Sequence, residues 1–357
     1  MKNTDPRESF STALISWYLL NRRDLPWREN PTAYRVFMSE VMLQQTQASR
    51  VVPYYERWMK KFQDYSMVAS ACMDTLLLMW EGLGYYSRLH SLVNACKHIV
   101  KNHRGIFPSD YQEAISLPGV GPYTAGAVLS IAYNLPYPAL DVNVKRVLAR
   151  YCDIDAPVDR GPDALYRNKV LFFMPPGKAG TFNQSVMELG ALCCLPRSPR
   201  CSECPVKGDC LALSRGSLEH RPRRVNRIHP RKRKILVAVI LQNGNVFLRR
   251  RLKGGLWPGM WEFPHWEWDE DSGDEAVALQ NFIFREHGMK PVFRNLLPSI
   301  TCSYSGIRAI MVPFVFTLNT SQEIRGKDVY WSERSEIINM PIPSTHRKIA
   351  DIVSFAR

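Results

Sequence analysis

The chain contains the stretch Leu117-Pro118-Gly119-Val120-Gly121-Pro122-Tyr123, in which two glycines stand among prolines and apolar residues. Glycines let the backbone turn tightly and point its N–H groups outward, and a helix that begins near Tyr123 would add the positive end of its dipole. The stretch therefore predicts a turn between two helices that binds phosphate without reading sequence. A plain helix–helix turn is the alternative, because Gly-x-Gly alone is a weak pattern. The continuation Thr124-Ala125-Gly126 favours the phosphate-binding turn.

An isolated aspartate, Asp141, lies downstream of this stretch and precedes the helix-like run Val142–Leu148. An aspartate before a helix is most often an N-cap, which accepts hydrogen bonds from the first free N–H groups. The helix dipole also keeps such a carboxylate ionised and firmly held. When a glycosidic bond breaks, the sugar becomes cationic, and a nearby carboxylate can stabilise or attack it. Asp141 is therefore a candidate for both roles.

The same chemistry needs a second acid that protonates the leaving base. Glu40 is the candidate, because it is the one acidic residue in the apolar run Val36–Leu43. Burial would raise its pKa and make it a general acid near neutral pH. A glutamate on the exposed face of an amphipathic helix is the alternative, and the residues alone favour that alternative.

Four cysteines follow the spacing Cys-x6-Cys-x2-Cys-x5-Cys: Cys194, Cys201, Cys204 and Cys210. Thiolates at such spacings bind zinc or an iron–sulfur cluster. Zinc sites usually have two Cys-x2-Cys pairs set well apart, whereas here one compact loop, 194–210, carries every ligand. This favours a cubane iron–sulfur cluster. The neighbouring Cys193 breaks the spacing and is expected to be a buried small residue. Basic residues inside the loop could present positive charge to phosphate: Arg197, Arg200 and Lys207.

The net charge of +14 suits a polyanionic partner, although a generally basic surface is an equal alternative. The apolar stretches are too short and too interrupted to span a bilayer, and Met1–Asp5 begins no secretory signal. Nine cysteines with a metal-like cluster indicate a reducing compartment rather than a disulfide framework. We expect a soluble, cytoplasmic protein of the bacterial cytosol and nucleoid, with no membrane association.

The chain divides into two parts of different character. Up to residue 213 apolar residues recur at helical spacing, and from residue 235 they form short runs typical of strands. Between them, 214–234 is rich in arginine and lysine with Pro222 and Pro230, which predicts an extended linker that could also contact the DNA backbone. The predicted helices are Phe10–Leu20, Tyr34–Thr46, Met73–Gly82, Leu89–Lys101 and Glu275–His287. The predicted strands are Ile235–Ile240, Val246–Leu248, Val292–Leu296 and Ala309–Leu318, and an Asn243-Gly244 turn connects the first two.

Several motifs of the first part are similar to those of a known family. They are Leu25-Pro26-Trp27-Arg28, Ser39–Gln47, Gly82–Arg88 and Asp141–Arg150. With them the chain resembles the helix-hairpin-helix base-excision glycosylases, the superfamily of endonuclease III, and within it the adenine DNA glycosylases, the MutY family. The resemblance covers most of the chain. It implies a mainly α helix-hairpin-helix glycosylase domain with an iron–sulfur loop at 1–213, the basic linker at 214–234, and an α+β Nudix-like domain at 235–357.

By this resemblance the protein binds double-stranded DNA as a monomer and excises adenine paired with 8-oxoguanine or guanine. Glu40 would protonate adenine at N7, Asp141 would stabilise or trap the sugar cation, and the four cysteines would hold a [4Fe–4S] cluster. The base must be flipped out of the stack, at a cost that inserted side chains offset. The resemblance also implies that Tyr123 and Asn143 orient Asp141 and the substrate, and that Trp27, Arg28 and Gln184 form the adenine pocket. Gln45 and Tyr85 would insert beside 8-oxoguanine, and Gly119 and Gly121 would contact phosphate.

Tyr123 separates two subtypes of the superfamily. Bifunctional relatives have a lysine there, which forms a Schiff base and cleaves the strand, and a tyrosine cannot do this. The resemblance therefore implies a monofunctional enzyme that leaves an abasic site, although Lys145 could trap some product.

The second part resembles the Nudix-like C-terminal domain of the same family, most clearly at Leu256–Pro264. A Nudix hydrolase needs paired glutamates that hold magnesium, and Phe282–Gly288 keeps only Arg-Glu-x-Gly. Recognition of the lesion is thus favoured over hydrolysis of a nucleotide. The family's Phe-Ser-His loop corresponds to Tyr304-Ser305-Gly306, in which Ser305 would contact 8-oxoguanine and Gly306 replaces the histidine.

Val142 is a second departure, because the family usually has glycine after the catalytic aspartate. A β-branched residue would be strained there if the position needs positive φ or a close approach to the sugar. Two alternatives to an adenine glycosylase remain: an endonuclease III-like or thymine-mismatch glycosylase, or a mismatch sensor that binds DNA without catalysis. Tyr123 and the adenine-pocket residues count against the first, and retention of Glu40 and Asp141 counts against the second.

Overall fold

The computed structural model describes residues 5–157, 163–223, 230–252, 256–268, 273–304, 306–318 and 328–355. The chain forms two compact units. The first contains Met1–Ser70 and His90–Asn226, and the second contains Ala71–Leu89 and Arg227–Arg357. The division near residue 226 falls within the predicted linker. The membership of Ala71–Leu89 in the second unit is not indicated by any pattern in the sequence.

The first unit is helical, as the apolar periodicity predicts. The four segments expected in the first hundred residues correspond to α1, α2, α5 and α6, of which α5 and the first residues of α6 belong to the second unit. The helices are α1 (Pro6–Asn21), α2 (Ala33–Leu43), α3 (Ala48–Lys61), α4 (Tyr65–Ser70), α5 (Met73–Trp80), α6 (Ser87–Asn102), α7 (Tyr111–Ser116), α8 (Pro122–Tyr133), α9 (Val142–Tyr151), α10 (Asp163–Phe173), α11 (Ala179–Leu192) and α12 (Leu211–Ser214).

A hydrophobic core joins α1, α9, α10 and α11 within the first unit. Val144, Val147, Leu148 and Tyr151 recur three or four positions apart on α9, so one face of this helix enters the core. There they meet aromatic side chains such as Phe182 of α11, which is fully buried. This packing fixes the axis of α9 and thereby the place where its N-terminus emerges.

The glycine stretch forms the turn between α7 and α8, and its glycines have different tasks. Gly119 has a φ of +72°, and a Cβ added there would lie 2.3 Å from the Cβ of Ser91 on α6. Gly121 is extended, with φ −93° and ψ 177°, and caps α8 ahead of Pro122. Gly126 allows α8 to approach the backbone near Pro138 closely. A Cβ at this position would lie only 2.1 Å from the Pro138 carbonyl oxygen. The turn is thus both left-handed and closely packed.

The second unit contains a mixed sheet flanked by helices. Its elements are β1 (Arg231–Gln242), β2 (Asn245–Arg250), β3 (Trp261–Glu262), β4 (His265–Trp268), β5 (Val292–Leu296), β6 (Ile300–Tyr304), β7 (Ile307–Thr317), β8 (Val329–Glu333), α13 (Glu275–His287) and α14 (Ser344–Phe355). The strands follow the order β3-β2-β1-β7-β5, with β4 also paired to β1, β6 to β7 and β8 to β2. β1 and β7 run parallel, with Ile235 opposite Met311.

The continuous apolar run of β1 is explained by burial on both faces. Ile235, Val237 and Val239 pack in one cluster with residues of α14, and the alternate residues from Leu236 to Ile240 pack in another with residues of α13. The predicted turn is confirmed, because Asn243 and Gly244 have φ values of 49° and 83° and connect β1 to β2. The remaining predicted strands and the predicted helix Glu275–His287 are confirmed as β5, β7 and α13.

The structure differs from the predicted extended linker at both of its ends. Residues up to Ser214 still belong to α12, a 3-10 turn covers Leu218–His220, and β1 already begins at Arg231. Arg221 pairs with Asp153 at 2.9 Å and with Asp155 at 3.3 Å. The predicted repulsion considered only the basic residues of the linker itself. The carboxylates that pair with Arg221 lie far upstream in the sequence, so the local composition does not reveal them. Residues 224–229 lie outside the described part of the chain.

Within the part of the chain that the structure describes, no helix combines the length and the apolar character needed to cross a membrane.

Replacing Gly119 with alanine tests the packing of the turn. We expect Gly119→Ala to lower the free energy of unfolding by about 1–3 kcal/mol, because the new methyl group meets Ser91 and the φ is left-handed. The matched control is Gly121→Ala, since nothing lies within 4 Å of a Cβ there. Urea unfolding of both variants measures the difference. Equal midpoints for the two variants would contradict this account of the turn.

Candidate active site

A cavity of about 830 Å³ opens in the first unit, beside the N-termini of α8 and α9. It contains both candidate carboxylates and most of the side chains that the resemblance assigned to the reaction. The glycine turn lies in an adjoining cavity of about 390 Å³, which shares Tyr123 with the larger one and is lined by Gly119 and Gly121. The predicted residues that line the larger cavity are Trp27, Arg28, Glu40, Gln45, Tyr123, Asp141, Asn143 and Gln184.

Asp141 is the N-cap of α9, as predicted. Its Oδ1 accepts a hydrogen bond of 2.7 Å from the Val144 N–H, and its Oδ2 accepts one of 2.7 Å from the Asn143 side-chain amide. Burial raises the pKa of Asp141 above its ordinary value, and these hydrogen bonds oppose the rise. The helix start therefore favours the ionised form as expected, but desolvation is the larger effect.

Glu40 lies on the buried face of α2, with 5% of its surface exposed. The alternative of an exposed glutamate is therefore wrong. Burial raises the pKa of Glu40 to about 7, and the nearby charge of Asp141 adds to the rise, while the Tyr123 hydroxyl and Arg28 oppose it. A carboxyl group with this pKa is protonated in a large fraction of molecules at neutral pH, as a general acid requires.

The structure gives Tyr123 a partner that the sequence analysis did not predict. Its hydroxyl donates a hydrogen bond of 2.5 Å to Glu40 Oε2. Asn143 is the side chain that donates to Asp141. The sequence could not separate these partners, because Glu40 and Tyr123 lie 83 positions apart and meet only through the packing of α2 against α8.

Arg146 is a buried site residue that the sequence analysis missed. Its Nη2 donates to Asn143 Oδ1 at 2.8 Å and to the Gly190 carbonyl at 2.6 Å, and its Nε donates to the Cys194 carbonyl at 2.8 Å. A guanidinium group can only donate, so Asn143 must turn its oxygen toward Arg146 and its NH2 toward Asp141. Arg146 lies away from the face of α9 that carries Val144 and Val147, so the apolar periodicity gave no signal for it.

Glu188 is a second residue that the sequence analysis missed. Its side chain is 1% exposed, and it lies on the cavity wall between Arg23 and Arg28. Burial alone would raise the pKa of Glu188, but hydrogen bonds from the two arginines outweigh burial and lower it to about 2. Glu188 therefore stays ionised near neutral pH and holds both arginines in place. Gln184, one turn earlier on α11, accepts a hydrogen bond of 3.2 Å from the Tyr18 hydroxyl.

The two residues predicted to enter the base stack both have a left-handed backbone. Gln45 has a φ of 57° in the first unit, and Tyr85 has a φ of 48° in the second. This conformation is uncommon for residues other than glycine, and such positions cluster at functional sites. Tyr85 is 47% exposed. Ser305 lies outside the described residues.

The cysteine loop follows α11 directly, and its donor chemistry fits an iron–sulfur cluster. Zinc at its usual bond length of about 2.3 Å would hold four thiolates about 3.8 Å from one another. Within the described residues, which include all four cysteines, no three of these sulfurs lie within 4.8 Å of each other. The spread suits a larger cluster. Cys193 is buried, as predicted, with its sulfur 3.2 Å from the Arg200 carbonyl oxygen.

A different group of possible metal ligands lies in the second unit: Glu262, His265 and His346. Arg249 and Arg251 both form ion pairs with the Glu262 carboxylate, at 3.1 and 2.5 Å. Two guanidinium groups on one carboxylate leave the group with a net positive charge, which opposes binding of a cation. We therefore do not assign a metal to it.

The helical fold, the glycine turn, the two carboxyl groups in one cavity and the cysteine loop are together typical of a base-excision DNA glycosylase with an iron–sulfur loop. Residues 38–161 match the HhH-GPD superfamily base excision DNA repair protein family, residues 194–210 match the iron-sulfur binding domain of endonuclease III, and residues 236–351 match the NUDIX domain.

The relatives extend over most of the chain. The adenine DNA glycosylase of Buchnera aphidicola subsp. Baizongia pistaciae is 35% identical over 338 residues, which is 94% of this chain and 95% of the relative. That of Buchnera aphidicola subsp. Acyrthosiphon pisum is 35% identical over 266 residues, 74% of this chain and 76% of the relative. A thermostable thymine-DNA glycosylase structure, 25% identical, has a TM-score of 0.55 and covers 58% of this chain and 97% of its own.

The chain therefore belongs to the adenine DNA glycosylase family, and this membership confirms the main predictions from the sequence. The protein is an enzyme of base-excision repair that acts on DNA and excises adenine. Its N-terminal part is a helix-hairpin-helix glycosylase domain, and its C-terminal part is Nudix-like. The loop 194–210 carries a [4Fe–4S] cluster, and its four cysteines are the residues that would hold it.

The raised pKa of Glu40 predicts how adenine excision depends on pH. A general acid must be protonated, so the single-turnover rate should fall about tenfold per unit as the pH rises above about 7. Tyr123→Phe removes a hydrogen bond that lowers the pKa of Glu40, and should therefore move the alkaline limb to higher pH. Tyr133→Phe is the control, since its hydroxyl bonds the Phe107 carbonyl. Superimposable profiles for all three proteins would rule out Glu40 as the titrating acid.

The contacts of Arg146 predict a loss of catalysis without a loss of binding. Arg146→Lys cannot reproduce three directed hydrogen bonds, so Asn143 and Asp141 should be less well oriented and excision about 10- to 100-fold slower. Duplex affinity should stay within twofold, roughly, since Arg146 is buried. Arg35→Lys on α2 serves as the control, and visible absorbance checks that the cluster is retained. An unchanged rate with an intact cluster would show that Arg146 does not orient the site.

Proposed function

We propose that this protein hydrolyses the N-glycosidic bond of adenine paired with 8-oxoguanine or guanine in double-stranded DNA, and leaves an abasic site. The observation that carries the proposal is the pair of carboxyl groups in one cavity. Glu40 has a pKa of about 7 in a buried position, and Asp141 is held by hydrogen bonds at a helix start. Two carboxyl groups with such different surroundings suit the roles of general acid and electrostatic stabiliser.

In this mechanism Glu40 protonates adenine at N7 and makes it a better leaving group. Asp141 then stabilises the cationic sugar or attacks it, with its oxygens oriented by Asn143 and the Val144 N–H. Tyr123 holds the Glu40 carboxyl group through its hydrogen bond. Water completes the hydrolysis.

The wall of the cavity supports a flipped adenine as the substrate. Trp27 provides an aromatic ring that makes a T-shaped contact with Tyr55, with ring centroids 5.4 Å apart. Arg28 and Gln184 offer hydrogen-bonding groups, with Arg28 anchored on Glu188. Gly119 and Gly121 bind the phosphate backbone, and Gln45 and Tyr85 enter the stack beside the partner base.

Several observations favour a monofunctional enzyme over a lyase or a sensor. The Tyr123 hydroxyl is bonded to Glu40 and provides no amine for a Schiff base. Lys145 lines the cavity, but its Nζ lies 2.5 Å from Asp163 Oδ1. Val142 is the first residue of α9, is 71% exposed, and is absent from the described residues with positive φ. Its β-branched side chain therefore causes no backbone strain, which counts against a loss of catalysis.

The C-terminal domain recognises 8-oxoguanine in this proposal, with Ser305 as the polar contact. The neighbouring Gly306 has a φ of +76°, a conformation that glycine adopts readily and histidine rarely does. The absence of the family's histidine therefore agrees with the local backbone. The domains are 1–213 for catalysis, 214–234 as the connection and 235–357 for the lesion, and the protein acts as a monomer on DNA in the cytoplasm.

A single-turnover assay on end-labelled duplexes tests the proposal. Adenine is placed opposite 8-oxoguanine, guanine, cytosine or thymine, and each sample is divided and analysed with and without alkali, because an abasic site breaks only in alkali. We expect alkali-dependent cleavage of the adenine strand, fastest opposite 8-oxoguanine. Strand breaks without alkali would instead indicate a lyase, and tight binding without product would indicate a sensor.

Asp141→Asn should abolish excision, with a loss of at least about 10²-fold, and leave DNA binding nearly unchanged. Asparagine is as good an N-cap as aspartate, so the variant should fold. The matched control is Asp110→Asn, which changes the N-cap of α7 outside the cavity. An active Asp141→Asn enzyme would show that the catalytic carboxylate has been assigned to the wrong residue.

A further inference from the structure

The segment Ala71–Leu89 lies inside the region that matches the glycosylase family, yet it belongs to the second unit. Two arginines from the C-terminal part of the chain hold it. Arg250 of β2 pairs with Asp74 at the beginning of α5, and Arg347 of α14 pairs with Glu81, the residue that caps the end of α5. The segment is therefore attached to the Nudix-like part at both ends of one helix.

The contact between Arg347 and Glu81 has a fixed geometry. Arg347 Nε lies 2.6 Å from Glu81 Oε1, and its Nη2 lies 2.9 Å from Oε2. The remaining donors of the guanidinium group bond the Ile337 and Met340 carbonyls. Both partners are less than one fifth exposed. A two-point ion pair of this kind fixes orientation as well as distance.

Only three residues separate Glu81 from Tyr85, and the connection has little freedom. Gly82, Gly84 and Tyr85 all have positive φ values, of 99°, 74° and 48°. Arg88 then closes the loop, because it donates to the carbonyls of Leu83, Gly84 and Tyr85, and its guanidinium group lies 5.4 Å from the centre of the Tyr85 ring. A short segment of restricted conformation therefore joins Glu81 to the aromatic ring.

We propose that Glu81 and Arg347 are positioning residues that set how Tyr85 enters the base stack. The C-terminal unit then acts on the lesion through a tyrosine of the glycosylase region, in addition to any contact of its own with 8-oxoguanine. This inference rests on the proposed function, in which Tyr85 is the inserted side chain. It assigns to the ion pair a part in recognition of the partner base, and none in the bond-breaking step.

The test measures insertion directly by fluorescence. A duplex carries 8-oxoguanine opposite a 2′-fluorinated adenosine that resists excision, with 2-aminopurine as the neighbour of 8-oxoguanine, whose emission rises when the stack opens. Glu81→Gln keeps the shape of the side chain and removes its charge. We expect a smaller rise in emission and about three- to tenfold weaker binding of this duplex. Glu267→Gln, which breaks an exposed ion pair with Arg233 in the same unit, is the control and should behave like the parent protein.

A double-variant cycle shows whether Glu81 acts through Tyr85. If it does, Glu81→Gln should have little further effect once Tyr85 is replaced by alanine, so the two changes should not be additive. Arg347→Lys, which keeps the charge and loses the two-point geometry, should reproduce most of the effect of Glu81→Gln. Thermal unfolding checks that each variant is folded, and the emission rise is a readout that a purely structural role would not change.

Two results would overturn the proposal. The first is an unchanged emission rise and affinity in folded Glu81→Gln and Arg347→Lys. The second is full additivity with Tyr85→Ala. A parent-like emission rise in Tyr85→Ala would show that Tyr85 is not inserted, which also removes that part of the proposed function, whereas adenine release by the parent protein tests the glycosylase activity separately.

Discussion

Two buried arginines of α9 join the start of that helix to the cysteine loop. Arg146 joins Asn143 to the carbonyls of Gly190 and Cys194, and Arg150 donates to the Cys194 sulfur at 3.4 Å and to the Leu195 carbonyl at 2.6 Å. Guanidinium groups buried this deeply must have their donors satisfied. The loop supplies those acceptors from backbone carbonyls. The cluster loop and the start of α9 therefore cannot move independently, and the position of Asp141 depends on both.

The cavity shows how one kind of side chain acquires three different properties. Burial raises the pKa of Glu40 to about 7, and the hydrogen bond from the Tyr123 hydroxyl opposes that rise only in part. Burial also raises the pKa of Asp141, against hydrogen bonds from backbone and amide donors. At Glu188 the hydrogen bonds from two arginines outweigh burial and lower the pKa to about 2. The groups around each carboxylate thus decide whether burial raises its pKa or is outweighed.

The sequence predicts those parts of the structure that depend on neighbours in the chain. Helical periodicity, the Asn243-Gly244 turn, the N-cap at Asp141 and the cysteine spacing are local patterns, and each agrees with the structure. Tyr123, Arg146 and Glu188 each have partners in segments that are distant in the sequence, so periodicity carries no information about these contacts. The same holds for Arg221, because the acids that pair with it lie more than sixty residues upstream. Without the family resemblance, Glu40 would have been taken for a surface residue, because burial on α2 depends on packing that one helix cannot reveal.

The ion pair between Glu81 and Arg347 joins positions that are 266 residues apart. A chain that emerges from the ribosome N-terminus first can close this contact only after α14 has been made, and closing so long a loop carries an entropic cost. The second unit is therefore completed only with α14, although α5 is made early. A chain that lacks α14 has no Arg347 to pair with Glu81, so the segment that carries Tyr85 would be fully anchored only in molecules that include α14.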